Sequence, residues 1–368
     1  MSRPRSSVAV YFASMAATMV AVAALCLALN MVVDPVWYVR GNQLTGVNFA
    51  FNERMAKLNR LLPRLQEYDC LIMGSSRSTL LPAQKIQGHR CFNLAFSGGR
   101  AHEFVLFARY LRARGFAPVL LIVGVDGFNF LGPPRLPNVP DFVRTGDDPP
   151  SMLLTYLSLD ALDFSIRTLR KKPPNHRYYD GSFTGRIWPR SHPYRPPSIN
   201  APFEDPTDVH PDRAEQYHEL RGVFPDARMI GYLPPVSAWL VAQLDRTGDL
   251  DRLIVAVHRA ARAFDSFYDF AIPSEITWST TTTYDGSHYS EAVNAGIAAV
   301  LDAGAPSQDV DWLHEAPAEI SARYHERLNI FLRRLNHDGK TSGSRDDGQP
   351  TRDGGLGRLD HPASPQAK

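Results

Sequence analysis

Asp69-Cys-Leu-Ile-Met-Gly-Ser-Ser-Arg-Ser78 is a short apolar run that ends abruptly in a polar turn. Residues 69–73 read as a parallel strand buried on both faces, because such strands are short, continuous and apolar rather than alternating. The run breaks at Gly74 and delivers Ser75, Ser76, Arg77 and Ser78 onto a turn. A serine just past a strand end is where α/β enzymes hold a nucleophile. The strand fixes the backbone and the turn exposes the hydroxyl.

Working outward, four more runs have the same character: 91–96, 118–124, 227–233 and 267–271. The run 118–124 (Pro-Val-Leu-Leu-Ile-Val-Gly) is the clearest. Helical spacing fills the gaps between them. Met55, Leu58, Leu61, Leu62 and Leu65 make a face over 53–66, with Pro63 straining or ending it. Phe104, Phe107 and Leu111 make another, with Gly115 as its stop. A helix can begin at Ser76 or Ser78, with the serines as caps. Further helices are expected over 151–170, 213–221, twice across 237–264, over 290–301 and over 311–335. Strand followed by helix, five times over, predicts an α/β fold: a three-layer, flavodoxin-like domain on a parallel sheet. Periodicity mostly fails over 130–211, which is rich in Pro, Arg and aromatic residues and reads as an insertion or lid. From His337 onward large apolar residues nearly vanish, which predicts disorder. The expected organisation is an anchor over 1–33, one domain over 34–335 and a tail over 336–368.

The anchor rests on a charge-free run over residues 6–33, 28 residues or about 42 Å as helix, against roughly 30 Å of bilayer hydrocarbon. Arg3 and Arg5 precede it, so the positive-inside rule puts the N-terminus in the cytoplasm and the domain outside. A cleaved signal peptide usually has a shorter apolar core and a small-residue cleavage site, and neither is evident here. Trp37 and Tyr38 just past the run suit a membrane interface. The expected location is a bacterial inner membrane, crossed once, with the domain in the periplasm. A net charge of +2 gives no nucleic-acid footprint. Cys70 and Cys91 begin neighbouring strands. They are expected as buried thiols, a disulfide being chemically allowed in an oxidising compartment. His192, His210 and His218 lack metal-ligand spacing, so no metal is expected. No cofactor is implied, because Gly-x-Gly-x-x-Gly and a Walker lysine are both missing.

The second informative stretch is Asp285-Gly-Ser-His288. Asp and His three apart on a loop let the carboxylate orient the imidazole, which can then take a proton from a serine hydroxyl. The plain alternative is a turn cap followed by an ordinary helical histidine. Four polar turns, at Ser76, at Gly98-Gly99, at Asp126 and at Asp285–His288, all fall at strand carboxyl ends. In an open α/β sheet those ends converge on one crevice.

On these residues the chain resembles the SGNH (GDSL-like) hydrolase superfamily. More narrowly, it looks like the membrane-anchored bacterial proteins with a Gly-Ser-Ser-Arg first block, relatives of exopolysaccharide O-acetylation proteins and of the D-alanyl transfer protein of teichoic acid operons. The resemblance spans about residues 34–301 and implies roles for particular residues. Ser76 would be the nucleophile, His288 the base and Asp285 its orienter. The N–H groups of Ser76 and of Gly98 or Gly99 would hold the oxyanion. Ser75 stands where the family has Asp, and Asp126 where it has the oxyanion-hole Asn. An ionised Asp126 cannot donate to an oxyanion, and one lost donor costs ~2.7–4 kcal/mol of transition-state stabilisation. Three ways out are a protonated Asp126, a donor from Asn129 instead, or no acyl transfer at all. Arg77 can bind a substrate carboxylate or acyl carbonyl, or pair with Asp126 or Asp285. His102 and Glu103 read as a solvated first helical turn. The implied function is acyl transfer or ester hydrolysis on a cell-envelope or secreted glycan, with a membrane protein as acyl donor. The aromatics of 178–195 suit sugar stacking, and 130–211 would shape the glycan groove. The alternative is an inactive member of the fold acting as a glycan-binding or assembly scaffold.

Overall fold

The computed structural model describes residues 5–181, 183–188, 194–201, 208–304 and 309–342. His192 and the tail beyond Ser342 lie outside them.

Helix α1 (Arg5–Val33) comes first, followed by α2 (Glu53–Leu61). The parallel sheet is built from β1 (Cys70–Met73), β2 (Cys91–Asn93), β3 (Leu120–Gly124), β4 (Arg228–Leu233) and β5 (Ser266–Asp269). All five correspond to the apolar runs read from sequence. Helix α3 (Ala101–Ala113) follows β2. The long excursion after β3 holds α4 (Met152–Tyr156) and α5 (Leu159–Leu169), then α6 (Glu215–Val223) leads into β4. Helices α7 (Ala238–Arg246) and α8 (Leu250–Ala261) join β4 to β5, and α9 (Glu291–Ala303) and α10 (Pro317–Ser342) end the described chain. The strand order is β2-β1-β3-β4-β5, every pair parallel.

Alternation along the strands divides the core. Leu71, Met73, Leu121 and Val123 pack on one face with Leu58 of α2, Phe104 and Phe107 of α3, Tyr217 of α6 and Val257 of α8. Cys70, Ile72, Leu120, Ile122 and Ile230 pack on the other, against Ile297, Ala298 and Leu301 of α9. Both faces are therefore dry, which is why the strands lack a polar alternation.

Several expectations change. Cys70 and Cys91 form a disulfide rather than remaining free thiols. They are direct register partners on β1 and β2, with Cα atoms 4.2 Å apart, so strand pairing itself presents one sulfur to the other. The helix expected over 151–170 is two helices, because Ser158 accepts a hydrogen bond from Ala161 N and caps a new start. Pro63 ends α2 in a 3-10 segment, Leu62–Glu67, and the serine turn leads only into a 3-10 turn, Ser78–Leu80. Helix α10 does not stop near residue 335 but runs to Ser342. Inside the excursion, Arg177–Tyr179 and Gly185–Ile187 pair antiparallel, and Asn48–Phe49 joins them as a small second sheet. Glu103 is not solvated. It is buried, bonds Arg54 at 2.9 Å and caps its own helix through Arg100 N at 3.0 Å.

Within α1, Val8–Val33 is long and apolar enough to cross a membrane and is largely unburied by the protein. Its last turns are different. Asn30 is fully buried; its Nδ2 donates to Tyr156 O at 2.8 Å and its Oδ1 accepts from Ser165 Oγ at 2.7 Å. Asp34 then turns the chain by accepting the N–H groups of Tyr38, Val39, Arg40 and Gly41.

Candidate active site

The carboxyl ends of β1, β2 and β3 bring three polar turns together. Two glycines make that possible at the serine turn after β1. A Cβ at Gly74 would lie 2.3 Å from Ser78 Oγ, and one at Gly124 would lie 2.1 Å from it. Ser78 occupies that space and accepts a hydrogen bond from Tyr232 Oη at 2.8 Å, so it braces the turn from inside. Ser76 is left half-exposed on the outer side.

Asp285–His288 arrives from the loop before α9. His288 Nε2 lies 2.8 Å from Ser76 Oγ, and His288 Nδ1 lies 2.7 Å from Asp285 Oδ2. Asp285 Oδ1 also accepts the N–H groups of Ser287 at 3.0 Å and His288 at 2.8 Å, so the carboxylate is clamped by its own turn. Burial opposes charge on Asp285, but its bonds to His288 and these N–H groups outweigh that and hold it well below the usual carboxylate range. Burial pushes the His288 imidazole down; Asp285 pulls it up, and Arg177 and Arg77 push it down further. The net shift is downward, so His288 is neutral at neutral pH and able to accept a proton.

The glycine turn after β2 stacks on the serine turn. A Cβ at Gly99 would meet Gly74 O at 2.7 Å, so only glycine allows this approach. Gly99 N donates to Phe96 O at 3.0 Å. Of the two glycines it is therefore Gly98 whose N–H, like that of Ser76, has no acceptor among the described residues.

Asp126 is fully buried, and its Oδ1 accepts from Arg77 Nη1 at 3.0 Å. Burial raises its pKa, while the charge and hydrogen bond of Arg77 and the charge of His288 pull against that, and its Oδ2 has no hydrogen-bond partner among the described residues. Arg77 is thus paired with Asp126 rather than Asp285. Its guanidinium lies over the Phe128 ring at 5.5 Å and keeps some contact with water. Asn129 is turned away from this pocket. Its Nδ2 donates to Tyr217 Oη at 3.2 Å and its Oδ1 accepts from Ala101 N, in a buried setting.

Four residues join the site that the sequence reading did not single out. Tyr284 stacks flat on His288, with ring centroids 5.2 Å apart and planes 7° apart. Arg177, from the small sheet, is buried and donates to Ser97 Oγ. Glu53, at the start of α2, accepts from Ser97 N at 2.6 Å and from Tyr179 Oη at 2.8 Å. Lys57, one turn on, is buried with its Nζ 2.8 Å from Asn93 O, and burial pushes its amine down to about 7. Tyr284 adjoins the Asp-x-x-His motif, which was signal enough. Glu53 and Lys57 had none, because a Glu–Lys pair four apart reads as a solvated helix face.

Of the aromatics expected to stack on sugars, Tyr179 and Tyr194 are buried. Trp188 packs edge-on against Phe49 and Tyr178. The excursion builds the wall behind the site. No protein-family model matches this chain, and no curated protein matches it.

Proposed function

We propose that the chain is a serine esterase or acyltransferase of the SGNH type, anchored by α1 with its domain outside the cytoplasmic membrane, where it acts on a cell-envelope or secreted glycan. The observation that carries this is the continuous relay Ser76 Oγ···His288 Nε2, His288 Nδ1···Asp285 Oδ2, at 2.8 and 2.7 Å. The strand order β2-β1-β3-β4-β5, with packing on both sheet faces, supports a three-layer flavodoxin-like fold. The buried, hydrogen-bonded Asn30 makes the end of α1 part of the fold, which supports an anchor that stays attached.

His288 Nε2 takes the Ser76 proton as Oγ attacks the acyl carbonyl of the donor. The oxyanion faces the N–H groups of Ser76 and Gly98. Arg77, held by Asp126, supplies the remaining positive charge where the family has a neutral amide. The pair is neutral overall, so Asp126 does not repel the oxyanion as a lone carboxylate would. Protonated His288 returns its proton to the leaving alcohol, leaving an acyl group on Ser76. Water or a sugar hydroxyl, deprotonated by His288, then attacks the acyl-Ser76 carbonyl; His288 returns that proton to Ser76 Oγ as the acyl bond breaks and the acid or the new ester is released.

The test is the full chain in detergent with an aryl acetate and a fluorophosphonate probe. Hydrolysis and labelling at Ser76, both lost in Ser76→Ala, are expected. Asp285→Asn is expected to lower kcat by ~10³–10⁴, because the wrong imidazole tautomer then faces Ser76. A wild-type protein that neither hydrolyses nor labels supports instead a glycan-binding or assembly scaffold, the reading favoured by the buried Asp126 in a donor position.

A further inference from the structure

We infer that α4 and α5 form a second membrane element, lying in the bilayer interface beside α1 rather than facing water. Among the described residues, ten large apolar side chains outside α1 are exposed, and five of them are in this hairpin. They are Leu153 (53% exposed), Leu154 (68%), Leu157 (44%), Leu159 (80%) and Leu169 (38%). Single exposed leucines need no explanation, but a concentrated patch marks an interaction surface.

The surface of α5 is divided three ways. Ala161, Ser165 and Thr168 are buried, and Ser165 Oγ meets Asn30 of α1 at 2.7 Å. Leu159, Leu162, Ile166 and Leu169, at spacings of three and four, form an apolar stripe on the outer side. Asp160, Asp163 and Arg167 form a charged stripe beside it, with Asp163 and Arg167 paired. Arg170, Lys171 and Lys172 follow at its exposed C-terminal end. This is the pattern of a helix lying along a lipid surface, with apolar residues in the acyl boundary and charge among the headgroups.

Depth along α1 sets the occupant. Val8–Val33 is 26 residues, about 39 Å of helix, so about 9 Å more than the hydrocarbon needs. The part of α1 that α4 and α5 grip is this surplus. Leu27 and Phe164 each pack against the cluster of Val36, Tyr156 and Ala161, and Asn30 is bonded to Tyr156 and Ser165. A patch fastened to the last two turns of a spanning helix sits at the boundary between acyl chains and headgroups, and the leucines of α4 and α5 point into that layer. The consequence for the site is a fixed pose: the domain is held against the lipid by two elements instead of swinging on one.

This inference rests on α1 spanning the bilayer, and the test separates the two. Full-length protein carrying Cys26→Ser, with the Cys70–Cys91 disulfide kept, is given one nitroxide at a time through Val20→Cys, Leu154→Cys or Leu159→Cys. It is reconstituted into vesicles of phosphatidylethanolamine and phosphatidylglycerol. Oxygen and a water-soluble nickel chelate then report depth by power saturation. All three labels are expected to favour oxygen, Val20 most strongly. Val20 in lipid with Leu154 and Leu159 open to the chelate would overturn the inference and leave the anchor standing. Val20 open to the chelate would remove the anchor and the inference with it. Spin–spin broadening at Leu154 or Leu159 without oxygen preference would assign the face to a second copy of the chain, which also overturns it.

Discussion

Replacing Arg77 with Met separates the two things the Arg77–Asp126 pair does. Asp126 is fully buried and Arg77 is 18% exposed, with Nη1 and Oδ1 3.0 Å apart. Taking away Arg77 strands a carboxylate in the core, which costs about 3–5 kcal/mol when it stays charged. At roughly 2–4 °C per kcal/mol for a domain of this class, that is about 6–20 °C in Tm. Protonation relieves part of it. Burial already holds the Asp126 carboxyl above its ordinary range, and without Arg77 it rises further. A group raised on folding gives its full stability below its unfolded pKa and loses it as pH rises through the folded value. The Arg77→Met penalty is therefore smallest near pH 4 and grows toward neutral pH. Asp126→Asn is milder, since the guanidinium it releases reaches water, and the double variant recovers most of the stability. Thermal melts of the four proteins in detergent, from pH 4.5 to 8, measure this. Refutation would be an Arg77→Met penalty that is flat with pH, or a double variant no more stable than Arg77→Met. Aryl acetate turnover, read on the same proteins, is expected to fall ~10²–10³-fold in Arg77→Met, as for loss of one oxyanion donor.

The acid limb of kcat/KM against pH is expected below the ordinary histidine value near 6.5, because burial lowers His288 and activity needs its neutral form. A limb above 6.5 would mean that another group controls the rate. Reducing the Cys70–Cys91 bridge, or Cys91→Ser with Cys70→Ser, should cost about 3 kcal/mol for a closed loop with a separation of 21 residues. An unchanged melting temperature under reductant would show that strand pairing alone holds that edge. Gly99→Ala places a methyl 2.7 Å from Gly74 O and 3.0 Å from the rings of Phe96 and Phe104. It should cost about 1–3 kcal/mol and misplace Ser76. Gly98→Ala meets nothing within 4 Å but sits at a φ of +63°, so it should cost about 1 kcal/mol and leave the nucleophile in place. Equal losses of turnover in the two variants would refute the stacking of the turns.

Local pattern carried much of this molecule. The five sheet strands are short apolar runs bounded by Gly, Pro or polar turns, and that character does not depend on what they pack against. A span of uncharged residues as long as Val8–Val33 is likewise a property of the chain itself. Ser76, Asp285 and His288 were legible because each sits on a polar turn at the carboxyl end of a strand or just before a helix. Helix ends were less so. The break at Ser158 turned on one side-chain cap, and α10 continued through a stretch whose composition argued against it.

What the sequence by itself determined is therefore the five strands of the parallel sheet and the polar turns that carry Ser76, Asp285 and His288, since these follow from residue type and short-range spacing along the chain. Only the tertiary structure decided which residues met across tens or hundreds of positions. It paired Cys70 with Cys91 by strand register and Arg77 with Asp126 in a dry pocket. It turned the Asn129 amide toward Tyr217, and it brought Glu53 and Arg177 behind the site. A side chain's charge state and partners depend on burial and on neighbours from other elements, and neither is encoded in local periodicity.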